Sequence, residues 1–406
     1  MTMAADKQDK VLNVPTLRFP EFRDEWVECE LQDIADISKG TGISKEQLSE
    51  TGESCILYGE LYTKYKSEVI SNVVSKTDIE STNLVRSKAN DVIIPSSGET
   101  AIDISTARCV PFDNILLGGD LNIIRLKEQD GRFFSYQLNG VRKLDIAQIA
   151  QGVSVVHLYG DSLKRLKVHY PSISEQKKIS SLLSVIDERI ETQNRIIEKT
   201  KSLIKGLANL IMDNPSDCIK YLLGDLCEIK SGYSGNQLIG NNGLRVSRIE
   251  TISNHHINLD RVGFVAPFEK SEEYKLNIGD ILFSNINSVE YIGNTAYIDK
   301  DYSLYHGMNL LRLIPQKPIV SPFFLYCLLN TDRLKNHFKT ICNKAVSQAS
   351  INQTELSKIP LLLPDMSKQI QIANLFKLLL GKKEIELSYY TLLIKQKKYL
   401  LSKLFI

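Results

Sequence analysis

Apolar residues recur along residues 172–214 in steps that alternate between four and three. This spacing is typical of a heptad seam that packs against a partner helix. Ser172 and Glu175 have the spacing of a capping box, and Asn214 and Pro215 mark the expected end. At about 1.5 Å per residue this first rod would be roughly 60 Å long. Its predicted seam residues are Ile179, Leu183, Ile186, Ile190, Gln193, Ile197, Thr200, Ile204, Leu207 and Ile211.

The rest of the chain repeats itself around this rod, which indicates a tandem duplication. The repeated segments keep their order: 31–40 returns as 223–232, 122–126 as 309–313, and 171–176 as 364–369. A second rod is therefore expected at 366–406, and two rods of matched length pack most economically as an antiparallel pair. Its predicted apolar seam residues are Ile372, Phe376, Leu379, Tyr390, Leu393, Leu400 and Leu404.

Outside the rods, short apolar runs alternate with turn residues, a pattern that predicts strands. We expect strands at 55–58, 92–95 and 121–126 with a helix at 133–144, and then strands at 244–246, 280–284, 295–298 and 309–313. Ser321 and Pro322 are expected to open a helix that runs to about residue 340.

The predicted fold is α+β. It consists of two similar α/β domains separated by two long helices that form an antiparallel coiled coil. The expected parts are an N-terminal arm (1–25), a first domain (26–171), a central helix (172–214), a second domain (215–364) and a C-terminal helix (365–406).

Composition changes this picture little. The 406 residues include 50 Lys and Arg against 48 Asp and Glu, so a net charge of +2 predicts no nucleic-acid partner by itself. The seven cysteines are scattered and form no C-x-x-C pair, which favours reduced thiols over disulfides or a zinc site. No apolar run is long enough to span a membrane, and residues 1–13 lack a signal-peptide core. We expect a cytoplasmic protein.

Motifs for catalysis are missing from the sequence. It has no phosphate-binding loop, no dinucleotide fingerprint, no motif for amino methylation and no histidine pair at metal-ligand spacing. Glu228 and Lys230 resemble the end of a nuclease site, but the other copy has Asp36 and Ser38 there, without an acidic partner. The sequence therefore predicts a binding protein with no metal or cofactor of its own.

Several motifs together carry a family resemblance. The opening VPTLRFPEFRDEW at 14–26 is followed by L-x-D-I at 31–34, and P-x-x-x-E-Q-x-x-I at 171–179 leads into the first rod. The second copy repeats this motif at 364–372, where Lys368 replaces the glutamate. Over nearly its whole length the chain resembles the specificity (S) subunits of type I restriction-modification systems.

This resemblance implies a non-catalytic subunit of a complex that methylates and cuts double-stranded DNA. Each domain would be a target recognition domain that reads one half of a split, asymmetric site, and the rods would set the spacer. The rods would also dock two modification (methyltransferase) subunits, through which restriction (motor-nuclease) subunits join. S-adenosylmethionine, ATP and Mg²⁺ are expected on those partner subunits, and none of them in this chain.

The candidate DNA contacts are polar loop residues that follow the shared elements, because base edges and phosphates are read by such side chains. For each of them the ordinary alternative is a solvated loop residue or a turn former. The candidates are Lys39, Lys64, Lys66, Ser96, Ser97, Thr106, Arg108, Gln151 and Ser154 in the first copy, and Ser231, Tyr233, Asn236, Arg245, Arg248, Asn285, Asn287, Ser347 and Gln348 in the second.

Two other functional classes remain open from the sequence. One is an orphan S-like interaction protein that binds methyltransferase subunits without active restriction. The other is an enzyme acting alone, a methyltransferase or a nuclease, which the absent cofactor motifs disfavour. Half-sites read from one face of DNA lie about one helical turn apart, roughly 34–36 Å. A rod of about 60 Å therefore suits the interpretation as a DNA specificity subunit.

Overall fold

The computed structural model describes residues 13–80, 82–213, 218–253, 256–344 and 348–406. Asn214, Pro215 and Ser347, and the side chain of Ile211, lie outside the described part. Two compact units are present. Unit 1 consists of two stretches of chain, one that runs to Asn194 and a second at Ser388–Ile406. Unit 2 is the single continuous stretch Arg195–Leu387 between them.

The elements follow one another in chain order. The strands up to the first long helix are β1 (Val27–Glu30), β2 (Ala35–Lys39), β3 (Leu48–Ser49), β4 (Glu53–Ile56), β5 (Ser75–Thr77), β6 (Asp91–Pro95), β7 (Ser97–Gly98), β8 (Arg108–Val110), β9 (Leu116–Leu117), β10 (Leu121–Leu126), β11 (Val156–His157) and β12 (Lys167–Tyr170). The helices are α1 (Leu31–Ile34), α2 (Glu60–Thr63), α3 (Ala101–Ile104), α4 (Gly131–Asn139), α5 (Lys143–Ile149), α6 (Gly160–Lys164) and α7 (Ile173–Asp213).

The later strands are β13 (Ile219–Leu222), β14 (Cys227–Ser231), β15 (Leu244–Val246), β16 (Ile252–Ser253), β17 (His256–Ile257), β18 (Gly263–Val265), β19 (Ile281–Phe283), β20 (Ile286–Asn287), β21 (Thr295–Tyr297), β22 (Leu311–Pro315), β23 (Asn343–Lys344), β24 (Ala349–Ser350) and β25 (Pro360–Leu363). The later helices are α8 (Leu223–Leu226), α9 (Pro322–Leu329), α10 (Asp332–Ile341), α11 (Gln353–Ser357) and α12 (Met366–Lys403).

The predicted duplication is visible in the sheets. Unit 1 has a four-stranded sheet in the order β2-β10-β6-β8, and unit 2 has one in the order β14-β22-β19-β21. In each unit the first strand also pairs with the strand before the long helix, β1 with β12 and β13 with β25. The same topology built twice confirms the two similar domains.

Alternation along the central strands builds two cores in unit 1. Ile93 and Ile123 pack into one apolar cluster, whereas their neighbours Val92, Ile94 and Ile124 pack into another. Successive side chains of a strand point to opposite faces, so a sheet covered on both faces requires the continuous apolar runs seen in β6 and β10. This is why those strands were recognisable in the sequence.

Strand pairing corrects one detail of the repeat. The sequence match equates residues 122–126 with 309–313, but Leu126 pairs with Ala35 while Pro315 pairs with Cys227. The structural counterpart of Leu126 is therefore Pro315 rather than Leu313. Arg125 and Arg312 nevertheless play the same part: each pairs at 2.6 Å with the aspartate at the start of the neighbouring central strand, Asp91 in β6 and Asp280 just before β19.

The two long helices supply a segment to each unit. In unit 1 the first part of α7 meets the last part of α12, where Asp187 and Lys397 form an ion pair at 2.6 Å. In unit 2 the last part of α7 meets the first part of α12, where Ala208 and Phe376 share a core. Within each unit the segments are therefore antiparallel. The predicted apolar seam residues in the described part are all buried or half-buried.

Three local expectations are wrong. Glu175 does not complete a capping box: its buried carboxylate accepts two hydrogen bonds from Arg18, both at 2.8 Å, and so fixes the N-terminal arm. The helix predicted at 133–144 is divided: α4 ends at Asn139, the backbone leaves the helical conformation at Gly140 (ψ −108°), and α5 begins at Lys143. The helix predicted from Ser321 ends at Leu329, and Thr331 caps a separate helix, α10.

Candidate nucleic-acid interface

One end of the central sheet in unit 1 gathers several predicted DNA contacts. Strands β2 and β6 are both antiparallel to β10, so they end where β10 begins. Lys39 at the end of β2 pairs in register with Asn122, and Pro95 at the end of β6 pairs with Leu121. Ser96 and Ser97 follow directly and are buried. The basic side chain of Lys39 is exposed at this edge.

A hairpin of residues 151–157 covers this strand end. His157 pairs with Ser97 and is also bonded through its backbone to Gln151, at 2.7 and 2.9 Å. The tip carries Ser154 beside Val153, whose side chain is 97% exposed. The hairpin therefore presents Gln151 and Ser154 to solvent directly above the buried serines.

A depression of 310 Å³ lies beside the hairpin, lined by Lys39, Asn122, Tyr159 and Lys164 among others. Asn122 is fully buried, and its Nδ2 donates to the backbone oxygen of Leu158 at 2.9 Å. Its Oδ1 has no hydrogen-bond donor within the part of the chain that is described. Asp161 also lines the depression and pairs with Lys164 at 2.8 Å. The exposed lysine Lys39 and the exposed tyrosine Tyr159 are therefore the groups here that best suit a phosphate or a base.

Unit 2 repeats this arrangement with other side chains. Strand β20 follows β19 and pairs with β24, so Asn287 lies opposite Ala349. Asn285 accepts from the backbone of Ile351 at 2.9 Å and is half-buried. Gln348 is exposed and directly precedes this pairing, as Val155 does in unit 1. Ser231 ends β14 opposite Leu311 and is exposed at the same edge.

A second group of predicted residues in unit 2 surrounds an aromatic cluster. The Tyr233 ring stacks on Phe268 with ring centroids 3.7 Å apart, and Tyr274 packs against both edge-on. Exposed Arg248 lines a depression together with Asn309, which lies two residues before β22.

The two remaining candidates of this group are less enclosed. Arg245 is half-buried on β15, and Asn236 is exposed on the loop after Tyr233. Neither is brought into contact with the strand end.

Four candidates of unit 1 lie away from the strand end or inside the domain. Arg108 is buried, and its guanidinium donates to the backbone oxygens of Leu61 (3.0 Å) and Tyr65 (2.9 Å). Thr106 is also buried, and it accepts from Lys143. Both hold the interior together, and we remove them from the set of proposed contacts. Lys64 is paired with Glu60 at 2.6 Å, and Lys66 donates to the backbone of Thr63.

Four residues at this surface were not among the contacts predicted from the sequence: Asn122, His157, Tyr159 and Lys164. The rings of His157 and Tyr159 stack with centroids 6.2 Å apart at the foot of the hairpin. For His157 and Tyr159 the available signal was proximity to Ser154, a predicted contact that they follow by three and five positions. The sequence around Asn122 did not indicate a functional role, because an asparagine within an apolar strand is indistinguishable from an ordinary core residue.

Other kinds of site are not found in the described residues. Among them no cluster of three or more His, Cys, Asp or Glu side chains is placed to hold a metal ion. No helix in the same part of the chain is long and apolar enough to cross a membrane.

Comparison with known families gives the arrangement its context. The sequence profile described as "Type I restriction modification DNA specificity domain" matches residues 23–202 and again residues 215–402. The chain belongs to this specificity family. The two matches coincide with the two copies found in the sheets, and the family is one of DNA-recognition chains rather than catalytic ones.

Relatives of this specificity chain agree. A putative type I restriction enzyme MjaX specificity subunit from Methanocaldococcus jannaschii is 42% identical over 200 residues, which is 47% of this chain and 46% of that protein. The chain thus spans about half the length of this relative. The type I restriction enzyme MjaVIII specificity subunit from the same organism is 22% identical over 91% of this chain and 89% of its own length.

Solved structures show the same fold. The crystal structure of a type I restriction-modification S subunit from M. genitalium superposes with a TM-score of 0.65 at 20% identity, covering 97% of this chain and 99% of the other. A chain from work on complex assembly and conformational transition of the type I R-M system gives 0.55 at 16% identity, covering 93% and 97%.

Proposed function

We propose that this chain is the DNA sequence-specificity subunit of a type I restriction-modification complex. Each globular domain, within the bounds 26–171 and 215–364, reads one half of a bipartite, asymmetric site in double-stranded DNA. The observation that carries the proposal is the strand-end surface that occurs in both units with different side chains. Equal topology gives two comparable surfaces, and unequal side chains give two different half-sites.

In unit 1 we assign contacts with bases and phosphates to Lys39, Gln151 and Ser154, together with Tyr159 and Lys164 around the neighbouring depression. In unit 2 we assign them to Ser231, Arg248, Asn287 and Gln348, with Arg245, Asn236 and Tyr233 as further candidates. Exposed side chains at one edge of a rigid sheet are well placed to enter a groove, because the sheet fixes their spacing.

The long helices serve as the spacer, and we propose that they also dock two methyltransferase subunits, through which restriction subunits join. S-adenosylmethionine, ATP and Mg²⁺ belong to those partners, and the complex works in the cytoplasm. A separate spacer and separate recognition domains explain how one chain reads two half-sites without carrying out chemistry itself.

The test is sequencing of methylated bases in a host with the intact gene and with single substitutions. The intact gene should produce a split, asymmetric methylated motif, which should disappear on deletion. Gln151→Ala should relax only one half-site and Gln348→Ala only the other, while the exposed control Lys76→Ala should leave both unchanged. A methylation pattern that is the same with and without the gene would refute the proposal.

A further inference from the structure

Unit 2 contains a groove made of three depressions that share lining residues. The narrowest, of 150 Å³, shares Ile249 and Glu250 with a depression of 240 Å³ beside Arg248. It shares Tyr291 and Asn294 with a broader depression of 520 Å³. The groove is therefore continuous from Arg248 to this broad end. The broad end is also lined by Ile252, Ser253, Glu290, Ile292, Lys335 and Lys339.

The middle of the groove belongs to the strand-end surface that we propose to contact DNA. Ser284 and Asn287 line the narrowest depression. Ser284 directly follows β19, and Asn287 is the last residue of β20. A DNA strand that meets Asn287 can therefore follow the groove to its broad end, where the sequence analysis placed no contact.

One wall of the groove is fixed to α10, which carries the lysines of the broad end. In this wall the backbone N–H of Ser284 donates to the backbone oxygen of Asn294 at 2.8 Å. Gly293 packs against buried Phe338 of α10, and a side-chain carbon at Gly293 would lie 2.4 Å from that ring. Its φ of +77° also favours glycine. The loop and the helix therefore hold the shape of the broad end without a ligand.

Lys335 and Lys339 lie one turn apart on α10, and both are half-buried. Like charges four residues apart on a helix repel each other. Burial lowers the pKa of Lys335, Asp332 raises it, and the charge of Lys339 lowers it. Lys339 forms no ion pair with any residue that the structure describes. An anion bound between the two ammonium groups would remove their repulsion.

The other polar groups of the broad end include donors for the same kind of ligand. The side chain of Tyr291 is 52% exposed. The described residues offer no hydrogen-bond partner to its hydroxyl or to the side-chain amide of Asn294. Phosphate oxygens accept hydrogen bonds from lysine, tyrosine and asparagine side chains. Glu290 opposes an anion at this position, so neutralising its carboxylate should strengthen binding of a phosphate.

We propose that the broad end of this groove holds the sugar–phosphate backbone of one DNA strand, with Lys335 and Lys339 on its phosphates. The inference rests on the proposed function and deepens it, because it adds contacts that position the second half-site. The backbone forms the ridges between the grooves of a duplex, so a concave surface fits it. Contacts to phosphates set the register of the protein on DNA but carry no sequence information. Lys339 is therefore a positioning residue, which acts on affinity and not on the recognised sequence.

The first experiment titrates the assembled complex with duplex DNA at several salt concentrations. Lys339→Gln should weaken binding about fivefold at 0.15 M salt, on the recognised site and on scrambled DNA alike, and should lower the slope of log K against log salt by about one. Lys339→Arg keeps the charge and should preserve both values, and Glu290→Gln should strengthen binding. Lys317→Gln is the matched control, because Lys317 is exposed beyond the end of β22, whereas the strand-end surface lies where β22 begins.

The second experiment locates the contact on the DNA. Phosphates in and beside the half-site that unit 2 reads are replaced one at a time by neutral methylphosphonates. At the phosphate that Lys339 binds, the replacement should weaken the wild-type complex about fivefold but should not weaken Lys339→Gln further, since that interaction is already lost. The methylated motif of a host that carries Lys339→Gln should stay the same.

Unchanged affinity of Lys339→Gln would overturn the inference alone. An altered methylated motif would also overturn it, because Lys339 would then contact a base. Failure of the wild-type complex to prefer the recognised site over scrambled DNA would overturn the proposed function as well, so the two failures are distinguishable.

Discussion

Arg248 lies on the surface of unit 2, and the described residues form no ion pair with it. Its backbone nitrogen is held by Thr251 at 2.8 Å, which fixes the start of the side chain. A guanidinium in this setting can form two parallel hydrogen bonds to guanine or one charged contact to a phosphate. The contact to guanine depends on the DNA sequence, whereas the contact to a phosphate does not.

We predict that Arg248→Ala weakens binding only to DNA with an intact second half-site, by about 1–3 kcal/mol. The measurement is a titration of the assembled complex with duplexes in which one half-site at a time is scrambled. Lys39→Ala is the matched control, because it should act through the first half-site. An equal loss on random DNA would identify Arg248 as a phosphate contact.

His306 is a buried residue whose Nε2 lies 2.9 Å from the backbone oxygen of Leu310. Burial lowers the pKa of His306 to about 4. The imidazole of His306 therefore binds a proton more readily in the unfolded chain than in the folded chain. Its contribution to stability is present above pH 6.5 and is lost as the pH falls towards 4.

We predict that unit 2 loses up to about 3 kcal/mol of its free energy of unfolding between pH 7 and pH 4 through His306. His306→Gln should be less stable at pH 7 but should show a flatter pH dependence. Hydrogen exchange of α9 at several pH values measures this effect. An equally steep decline in His306→Gln would assign it to other groups.

Residue type alone does not say which way a side chain points, and this limits prediction of the site. Lys39 and Arg108 are equivalent as sequence candidates, since both are basic and follow a strand or loop of the repeat. The structure exposes Lys39 and encloses Arg108 among backbone oxygens of residues 61 and 65. Those partners are more than 40 positions away, so no local pattern reveals them.

At the scale of elements, periodic burial was predictable and local hydrogen bonding was not. The seam of α7 extends over several heptads, so its helix is evident from spacing alone. The capping box at Glu175 fails because Arg18, from a distant segment, takes the carboxylate. α4 ends at Gly140, where the backbone leaves the helical conformation (ψ −108°). A tertiary contact explains the first case, and the local backbone describes the second.

The junction of α7 and α12 in unit 1 depends on a buried cluster of one lysine and two carboxylates. Lys397 contacts both Glu68 and Asp187, and the three side chains are nearly inaccessible. Burial, together with nearby Glu68, raises the pKa of Asp187, while Lys397 acts in the opposite direction. Removing the lysine leaves two buried carboxylates without their ion-pair partner.

We predict that Lys397→Met destabilises unit 1 by about 3–5 kcal/mol at pH 7. The loss should shrink at lower pH, because the folded variant gains protons on the two carboxylates. Urea unfolding followed by fluorescence of Trp26, the single tryptophan of the chain, reports on unit 1. The exposed neighbour Lys398→Met should be almost neutral, and equal effects of the two variants would contradict the role of the cluster.

At the scale of the whole molecule, the duplication was the strongest sequence signal, and it predicted that the two units contain the same elements in the same order. Short shared segments were enough because they build the strands common to both units. The parts that differ include the four-stranded sheet β3-β5-β4-β9 of unit 1, for which the described residues of unit 2 form no second sheet of four strands. These are also the parts where two different half-sites require different surfaces.

We predict that lengthening both long helices changes the spacer of the recognised site and nothing else. Seven residues inserted after Thr192, with seven after Glu386, keep the heptad register and add about 10 Å at 1.5 Å per residue. This corresponds to about three base pairs at 3.4 Å each. Methylated-base sequencing should show both half-sites unchanged with a longer gap. Altered half-sites with the original gap would contradict the spacer role.

The division of the chain has a consequence for synthesis on the ribosome. Unit 2 is continuous, whereas unit 1 needs Ser388–Ile406, whose Leu404 and Phe405 complete the core around Trp26 and Phe133. Domains usually fold in the order in which they emerge. Here the half that emerges first finishes last, after the final turns of α12 have left the exit tunnel. Until then unit 1 exposes apolar surface, and a chaperone that shields this half would favour assembly.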